Sequence, residues 1–208
     1  MLRARPWRRM ALALAAGAAA WTGACARPAP APPPAPPAPE ARAPIPLPCE
    51  RIERIVVSKA ARVLVAACAG GGELRLPVAL ARAPGPKRAK GDQRMPEGEY
   101  RIAGPARPSR FHRFLPIDYP APADAERALA EARIDRAERD AIVAAHRAGR
   151  LPPQTTALGG HLGFHGEGKR WRGEGDLDWT EGCIALSDGD VERLERLAPP
   201  GTPVRIEP

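Results

Sequence analysis

Cys183 lies in the run Asp178-Trp179-Thr180-Glu181-Gly182-Cys183-Ile184-Ala185-Leu186 and follows His165 of Gly163-Phe164-His165-Gly166 by eighteen residues. A thiol is a useful nucleophile only as its thiolate, so it needs a neighbour that accepts its proton, and an imidazole titrates in the right range. His165 ends an apolar stretch, where a side chain can be held rigidly. Gly166 then lets the backbone turn sharply or come close to a ligand. Attack on an amide or ester carbonyl also needs donors for the oxyanion that develops. Gly182 has no side chain to block approach, so the N–H groups of Glu181, Gly182 and Cys183 can aim at one spot, with the Thr180 hydroxyl anchoring the turn. The chemistry these residue types predict is acyl transfer through a thioester. Without the pattern around it, the same cysteine reads more simply as a buried structural thiol at a strand end.

A metal site is the competing use of these side chains. His161, His165, Glu167 and Cys183 include zinc-ligand types, and His165-Gly166-Glu167 mimics the H-x-E of zinc deaminases. That chemistry wants two further cysteines in C-x-x-C spacing, which this chain lacks, so neither a metal nor another cofactor is expected. His161 and His112 read as surface or satisfied core histidines. Glu174, Asp176 and Asp178 read as a solvated acidic loop, with contact to a substrate amine as the alternative.

The other cysteines bear on the compartment. Residues 1–9 carry Arg3, Arg5, Arg8 and Arg9 with no acid, Met10 to Ala20 is apolar, and small residues precede Cys25. This is the layout of an export signal over residues 1–25, too short for a stable membrane span. The small residues before Cys25 resemble a bacterial lipobox, with Thr22 where a leucine is usual. Lipid attachment at Cys25, and with it a membrane anchor, stands beside ordinary cleavage nearby. Residues 26–48 hold eleven prolines in twenty-three positions and read as a solvated, polyproline-like linker. In an oxidising compartment Cys49 and Cys68 either pair as a disulfide or remain two separate buried thiols, and pairing leaves Cys183 as the odd thiol. The expected location is therefore outside the cytoplasm, in the periplasm or cell envelope.

Four of the net eight positive charges fall within the signal. The remaining arginines are interleaved with acids over 124–147 and lack aromatic stacking partners, so no nucleic-acid partner is expected.

The elements that must position Cys183 and His165 fall within 49–208, one domain of ordinary size. Ile52 to Val57, Val63 to Ala66 and Leu74 to Leu80 are short apolar runs separated by turn signals, as in an antiparallel meander. A basic Pro/Gly loop, Pro84 to Gly91, precedes a turn at Met95–Gly98 and a strand at Tyr100–Ile102, and Phe111–Ile117 predicts another strand. Over 123–148 the apolar spacing becomes helical, with Asp135 capping a second helix and Gly149 ending it. Leu158–His165 predicts a strand. Ser187 and Asp190 form a capping pair for a helix through Leu197, and Pro203–Ile206 predicts a last strand.

The runs GDQRMPEGEYRI, LGGHLGFHGEG and DWTEGCIALSD, in that order, resemble three successive motifs of the L,D-transpeptidase catalytic domain family, across about Arg51 to Glu207. The last run places the chain with members carrying D-W-T-x-G-C-I-A-L. The resemblance implies a mainly β fold, a β-sandwich of mixed sheets with a helical insertion at 123–150 and a C-terminal helix. It also implies Cys183 as nucleophile, His165 as its base, the Gly166 carbonyl orienting the imidazole, and backbone around Glu181 to Cys183 as oxyanion hole. The implied substrates are peptidoglycan stem peptides, with cross-linking or protein attachment as outcome. The rival outcomes are L,D-carboxypeptidase or amidase trimming, and a non-catalytic peptidoglycan-binding lipoprotein. Two positions depart from many members: Ala185 stands where arginine is common, and Met95 where threonine is common.

Overall fold

The structure is a computed structural model and describes residues 49–170 and 178–208. The expected signal, Cys25, the linker at 26–48, and Glu174 and Asp176 lie outside the described residues. Three strands come first, β1 (Ile52–Ser58), β2 (Val63–Cys68) and β3 (Glu73–Pro77), followed by the two-residue β4 (Leu80–Ala81). Next are β5 (Gly98–Arg101), β6 (Arg107–Ser109) and β7 (His112–Pro116), and then helices α1 (Pro122–Ala130) and α2 (Arg136–Arg147). The chain ends through β8 (Gly163–His165), β9 (Asp178–Thr180), β10 (Ile184–Ala185), α3 (Asp188–Leu197) and β11 (Pro203–Glu207).

These strands form mixed sheets. The larger has the order β3-β2-β1-β11-β5, with β11 parallel to β1 and antiparallel to β5. A second has the order β10-β8-β7-β6, and β4 pairs with β9 in a two-stranded ribbon. Alternation decides what each strand buries. Leu64 and Ala66 of β2 and Val204 and Ile206 of β11 point inward, where they meet Leu115, Phe164 and Ile184 of the second sheet in one apolar core. The α3 helix buries Val191 and Leu194 and packs on β7 and β8.

The helices start and stop where their sequence dictates. Asp135 accepts a bond from the Glu138 N–H at 2.8 Å, and Ser187 Oγ accepts one from the Asp190 N–H at 3.1 Å, each filling an orphan donor of the first turn. Gly149 adopts φ 61° just past α2, and Arg150 N–H returns to the Ala145 carbonyl at 2.9 Å, a left-handed helix stop that favours glycine. At α1 the first residue is Pro122 and Ala121 has no capping atom. The carboxylate of Asp124, 6% exposed, takes the Ala121 N–H at 2.9 Å and the Tyr100 hydroxyl at 3.1 Å, tying the insertion to β5.

Two expectations need correction, and one pairing was not foreseen. The strand predicted over Leu158–His165 is only Gly163–His165, because Gly159 (φ 85°) and His161 (φ 58°) leave the extended region. The third run of the meander breaks after Pro77, and Leu80–Ala81 joins β9 instead, with Ala79 bridging to Ala185. The pairing of β6 with β7 as a hairpin is absent from the sequence reading, since Arg107-Pro108-Ser109 has no apolar alternation.

Candidate active site

β8 carries the histidine by simple alternation. Phe164 is fully buried in the core, so its neighbour His165 must face the other side of the sheet. β10 runs parallel to β8, with Ile184 beside Phe164 and Ala185 beside His165. Cys183 comes directly before β10, on the side shared by Ala185 and His165. The two residues read from sequence as nucleophile and base are therefore carried by adjacent strands, two register positions apart, and both line one cavity of about 700 Å³.

The imidazole is held on three sides. Its Nδ1 lies 2.6 Å from the Gly166 carbonyl oxygen. A carbonyl can only accept, so Nδ1 carries the proton and Nε2 is left as the basic nitrogen. Phe111 stacks on the ring at 4.6 Å between centroids with a 23° tilt, and Trp179 meets it edge-on at 5.4 Å. His165 is 3% exposed, and burial pushes its pKa below the ordinary imidazole value, opposed by the Gly166 bond and assisted by the Arg110 charge.

Gly166 is required by what lies above it. A Cβ there would stand 2.3 Å from Asp188 Oδ1 and 2.9 Å from the Phe111 carbonyl oxygen. The same Asp188 oxygen accepts the N–H groups of Glu167 and Gly168, each at 2.9 Å, so the first residue of α3 pins the loop that orients the base. Asp188 and Phe111 were not singled out by sequence reasoning. The signal that could have drawn attention to Asp188 is an acid at the first position of a capped helix.

Cys183 is half-buried, the one cysteine outside a disulfide among the described residues. Cys49 and Cys68 are disulfide-bonded, with Cα atoms 5.4 Å apart. Burial pushes the Cys183 thiol up to about 11, against a backbone hydrogen bond from Gly163 and the positive charge of Lys87. Its Sγ donates to the His161 carbonyl at 3.7 Å. Both shifts favour a neutral thiol and a neutral imidazole.

The turn before the cysteine differs in one respect from expectation. Thr180 Oγ1 donates to the Cys183 carbonyl at 2.7 Å and accepts the Gly182 N–H at 3.3 Å. The Gly182 N–H is thus engaged by the threonine, which leaves the N–H groups of Cys183 and Glu181 as the candidate donors among those named from sequence. Gly182 sits at φ 134°, and a Cβ would lie 2.8 Å from the Arg94 carbonyl, so only glycine passes there.

The loop expected at 84–91 builds the opposite wall. Asp92 accepts the N–H groups of Arg88 (2.6 Å), Ala89 (3.0 Å) and Arg94 (3.1 Å) and the ammonium of Lys87 (2.8 Å). Burial works against its charge, but these donors hold its carboxyl below the usual range. Lys87, 8% exposed, is thereby fixed on the cavity wall.

Other expected residues fall as follows. His161 is exposed and contributes its carbonyl to the thiol, and His112 is half-buried with Nε2 2.8 Å from Glu192. Asp178, expected in a solvated loop, instead forms a two-pronged ion pair with Arg62 at 2.5 and 2.7 Å, fixing the start of β9. Ala185 is 1% exposed against Ala79 and Trp179, so the arginine common in relatives has no room there. Met95 is likewise a core side chain.

Among solved structures, the chain is similar to the helical cell shape determining protein Pgp2 from Campylobacter jejuni, at 17% identity and a TM-score of 0.51, over 75% of this chain and 47% of that one. It is also similar to an L,D-transpeptidase from Mycobacterium smegmatis (13%, TM-score 0.44, 76% and 59%) and to Bd1075 from Bdellovibrio bacteriovorus (15%, TM-score 0.44, 76% and 51%). The chain spans about half the length of these structures, and at this identity the likeness to Pgp2 is one of fold. No curated protein matches the chain. Residues 52–206 match the L,D-transpeptidase catalytic domain (YkuD) family, from the first residue of β1 into β11. That span takes in both Cys183 and His165 and far more than half of the sequence, and the chain therefore belongs to the L,D-transpeptidase catalytic domain family.

Proposed function

We propose that this protein is a cysteine-dependent acyltransferase acting on peptidoglycan stem peptides. The observation that carries the reading is that Cys183 and His165 line one cavity, on adjacent parallel strands, with Nδ1 of the histidine committed to the Gly166 carbonyl. Nε2 of His165 takes the thiol proton as Sγ attacks the carbonyl that follows the L-centre of the diamino acid. Negative charge develops on the carbonyl oxygen and is met by the Cys183 and Glu181 N–H groups. The C–N bond breaks, His165 returns the proton to the departing amine of the D-amino acid, and the thioester remains on Sγ. An amine of a second stem peptide or of a protein then takes the acyl group, and the thiol is regenerated.

Because both shifts favour the neutral pair, proton transfer accompanies attack and no preformed ion pair is needed. This has a pH signature. The base works only unprotonated, and burial has lowered its pKa, so kcat/KM rises with pH through a midpoint below the ordinary imidazole value of about 6.5. A pH profile of stem-peptide turnover checks this, and a midpoint above that value contradicts the neutral-base reading.

The Cys49–Cys68 disulfide supports an oxidising compartment, in keeping with export by residues 1–25 to the periplasm or envelope and a linker at 26–48. Lipid attachment at Cys25 belongs to the same reading and is checked by the mass of the mature N-terminal peptide.

The test of function is incubation of the protein with a carbapenem, a strained acyl donor for a thiol, and separately with defined tetrapeptide muropeptides, both read by mass spectrometry. A single adduct mapping to the peptide containing Cys183, and joined stems that have lost the terminal D-amino acid, are expected. Loss of that residue with water added instead identifies a carboxypeptidase. Absence of both adduct and product overturns catalysis and leaves a binding module.

A further inference from the structure

Among the described residues, the cavity that holds Cys183 is lined by Arg82, Lys87, Lys90, Arg107 and Arg110 against one acid, Glu181. On the described surface some arginines are matched to acids, as in the pairs of Arg62, Arg88, Arg113 and Arg139, and others are not. Arg107 and Arg110 are of the second kind and line the cavity. Neither has a carboxylate partner among the described residues, and each instead lies over a phenylalanine, Arg107 at 4.9 Å from the Phe114 centroid and Arg110 at 4.7 Å from that of Phe111.

Strand register ties both arginines to the base. Arg107 pairs with Phe114 across the β6–β7 hairpin, and Phe114 pairs with His165 across β7–β8, so the three side chains form one cross-strand row. Arg110 lies in the turn of the same hairpin. Its neighbour Phe111, held there by a bond from its N–H to Ser109 Oγ at 3.0 Å, stacks on His165. Each guanidinium is thus one aromatic ring away from the imidazole. The ring beneath holds the guanidinium in place and, among the described residues, no acid occupies its N–H fork, an arrangement that suits two-point recognition of a carboxylate.

We propose that Arg107 and Arg110 form a carboxylate-reading site for the residue that leaves the acyl donor. This rests on the acyltransferase reading above. In that reaction His165 protonates the departing amine, so the departing D-amino acid lies on the imidazole side of the cavity. Its only ionised group once in amide linkage is its terminal carboxylate. The two guanidiniums stand on that side, and they select peptides that end one residue after the scissile bond, because a longer peptide carries its carboxylate elsewhere.

The test is calorimetric titration of the full chain carrying Cys183→Ala with a stem tetrapeptide ending in a free carboxylate and with the same peptide ending in a carboxamide. The acid is expected to bind roughly tenfold tighter or more. In that background Arg110→Gln and Arg107→Gln each weaken the acid and leave the amide unchanged, the double substitution removes the preference, and Arg110→Lys restores part of it. Equal affinity for acid and amide, or equal weakening of both by the variants, overturns the proposal, as does failure of the acid to bind. Product formation by the chain with Cys183 intact is scored separately. Preference without product keeps the carboxylate site and removes the transfer reading, and product without preference does the reverse.

Discussion

Cys183→Ala abolishes the carbapenem adduct and lowers turnover of stem tetrapeptides roughly ten-thousand-fold or more, to the level of the uncatalysed background. The size follows from the chemistry. Without Sγ there is no atom to carry the acyl group, and His165 Nε2 has no proton to receive. Because the two residues act as a unit, the double variant Cys183→Ala, His165→Ala loses no more than the single one. The fold is expected to survive, since Cys183 is half-buried and packs only at the margin of the core. Mass spectrometry of muropeptide products, beside a thermal melt of the variant, checks both halves of the expectation. Retained turnover refutes the cysteine mechanism outright.

Phe164→Ala produces the largest loss of stability. The side chain is fully buried between the two main sheets, in register with Ile184 on one side and Leu115 on the other. Removing a buried phenylalanine costs about 3–5 kcal/mol, through lost burial and the cavity left behind. For a domain of this size each kcal/mol lowers the melting temperature by roughly 2–4 °C, so a fall on the order of 10 °C is expected by calorimetry. The substitution also reaches the chemistry. Phe164 is the residue whose burial turns His165 toward the cavity, so kcat falls even at temperatures where the variant remains folded, while the carbapenem adduct on Cys183 still forms slowly. A variant with native melting would show that β8 is not anchored by this side chain.

Much of the architecture was legible from local signals. Asp135, Gly149 and the Ser187–Asp190 pair mark helix ends by hydrogen-bond chemistry contained within four residues, and they stand where that chemistry predicts. The alternation of β1 and β2 was legible for the same reason, because one face of each is buried. What could not be read were elements defined by a distant partner. β4, β6 and β10 are two or three residues long, too short for any periodicity, and they exist because β9, β7 and β8 lie beside them. The insertion of β11 between β1 and β5 is of the same kind.

The site divides along the same line. Residue types and the resemblance of three ordered runs to the family marked Cys183 and His165 as candidate nucleophile and base, where the cysteine by itself read more simply as a structural thiol. The sequence also marked Gly182 and Thr180 as a tight turn. Only the tertiary structure decided that the Gly182 N–H is spent on Thr180, and that Phe111, Trp179 and Asp188 hold the base and its loop. It also decided that two arginines reach the cavity with no acid to pair them among the described residues. Those are properties of distance and direction between segments far apart along the chain. They arise from strand register and packing, which no single segment encodes by itself.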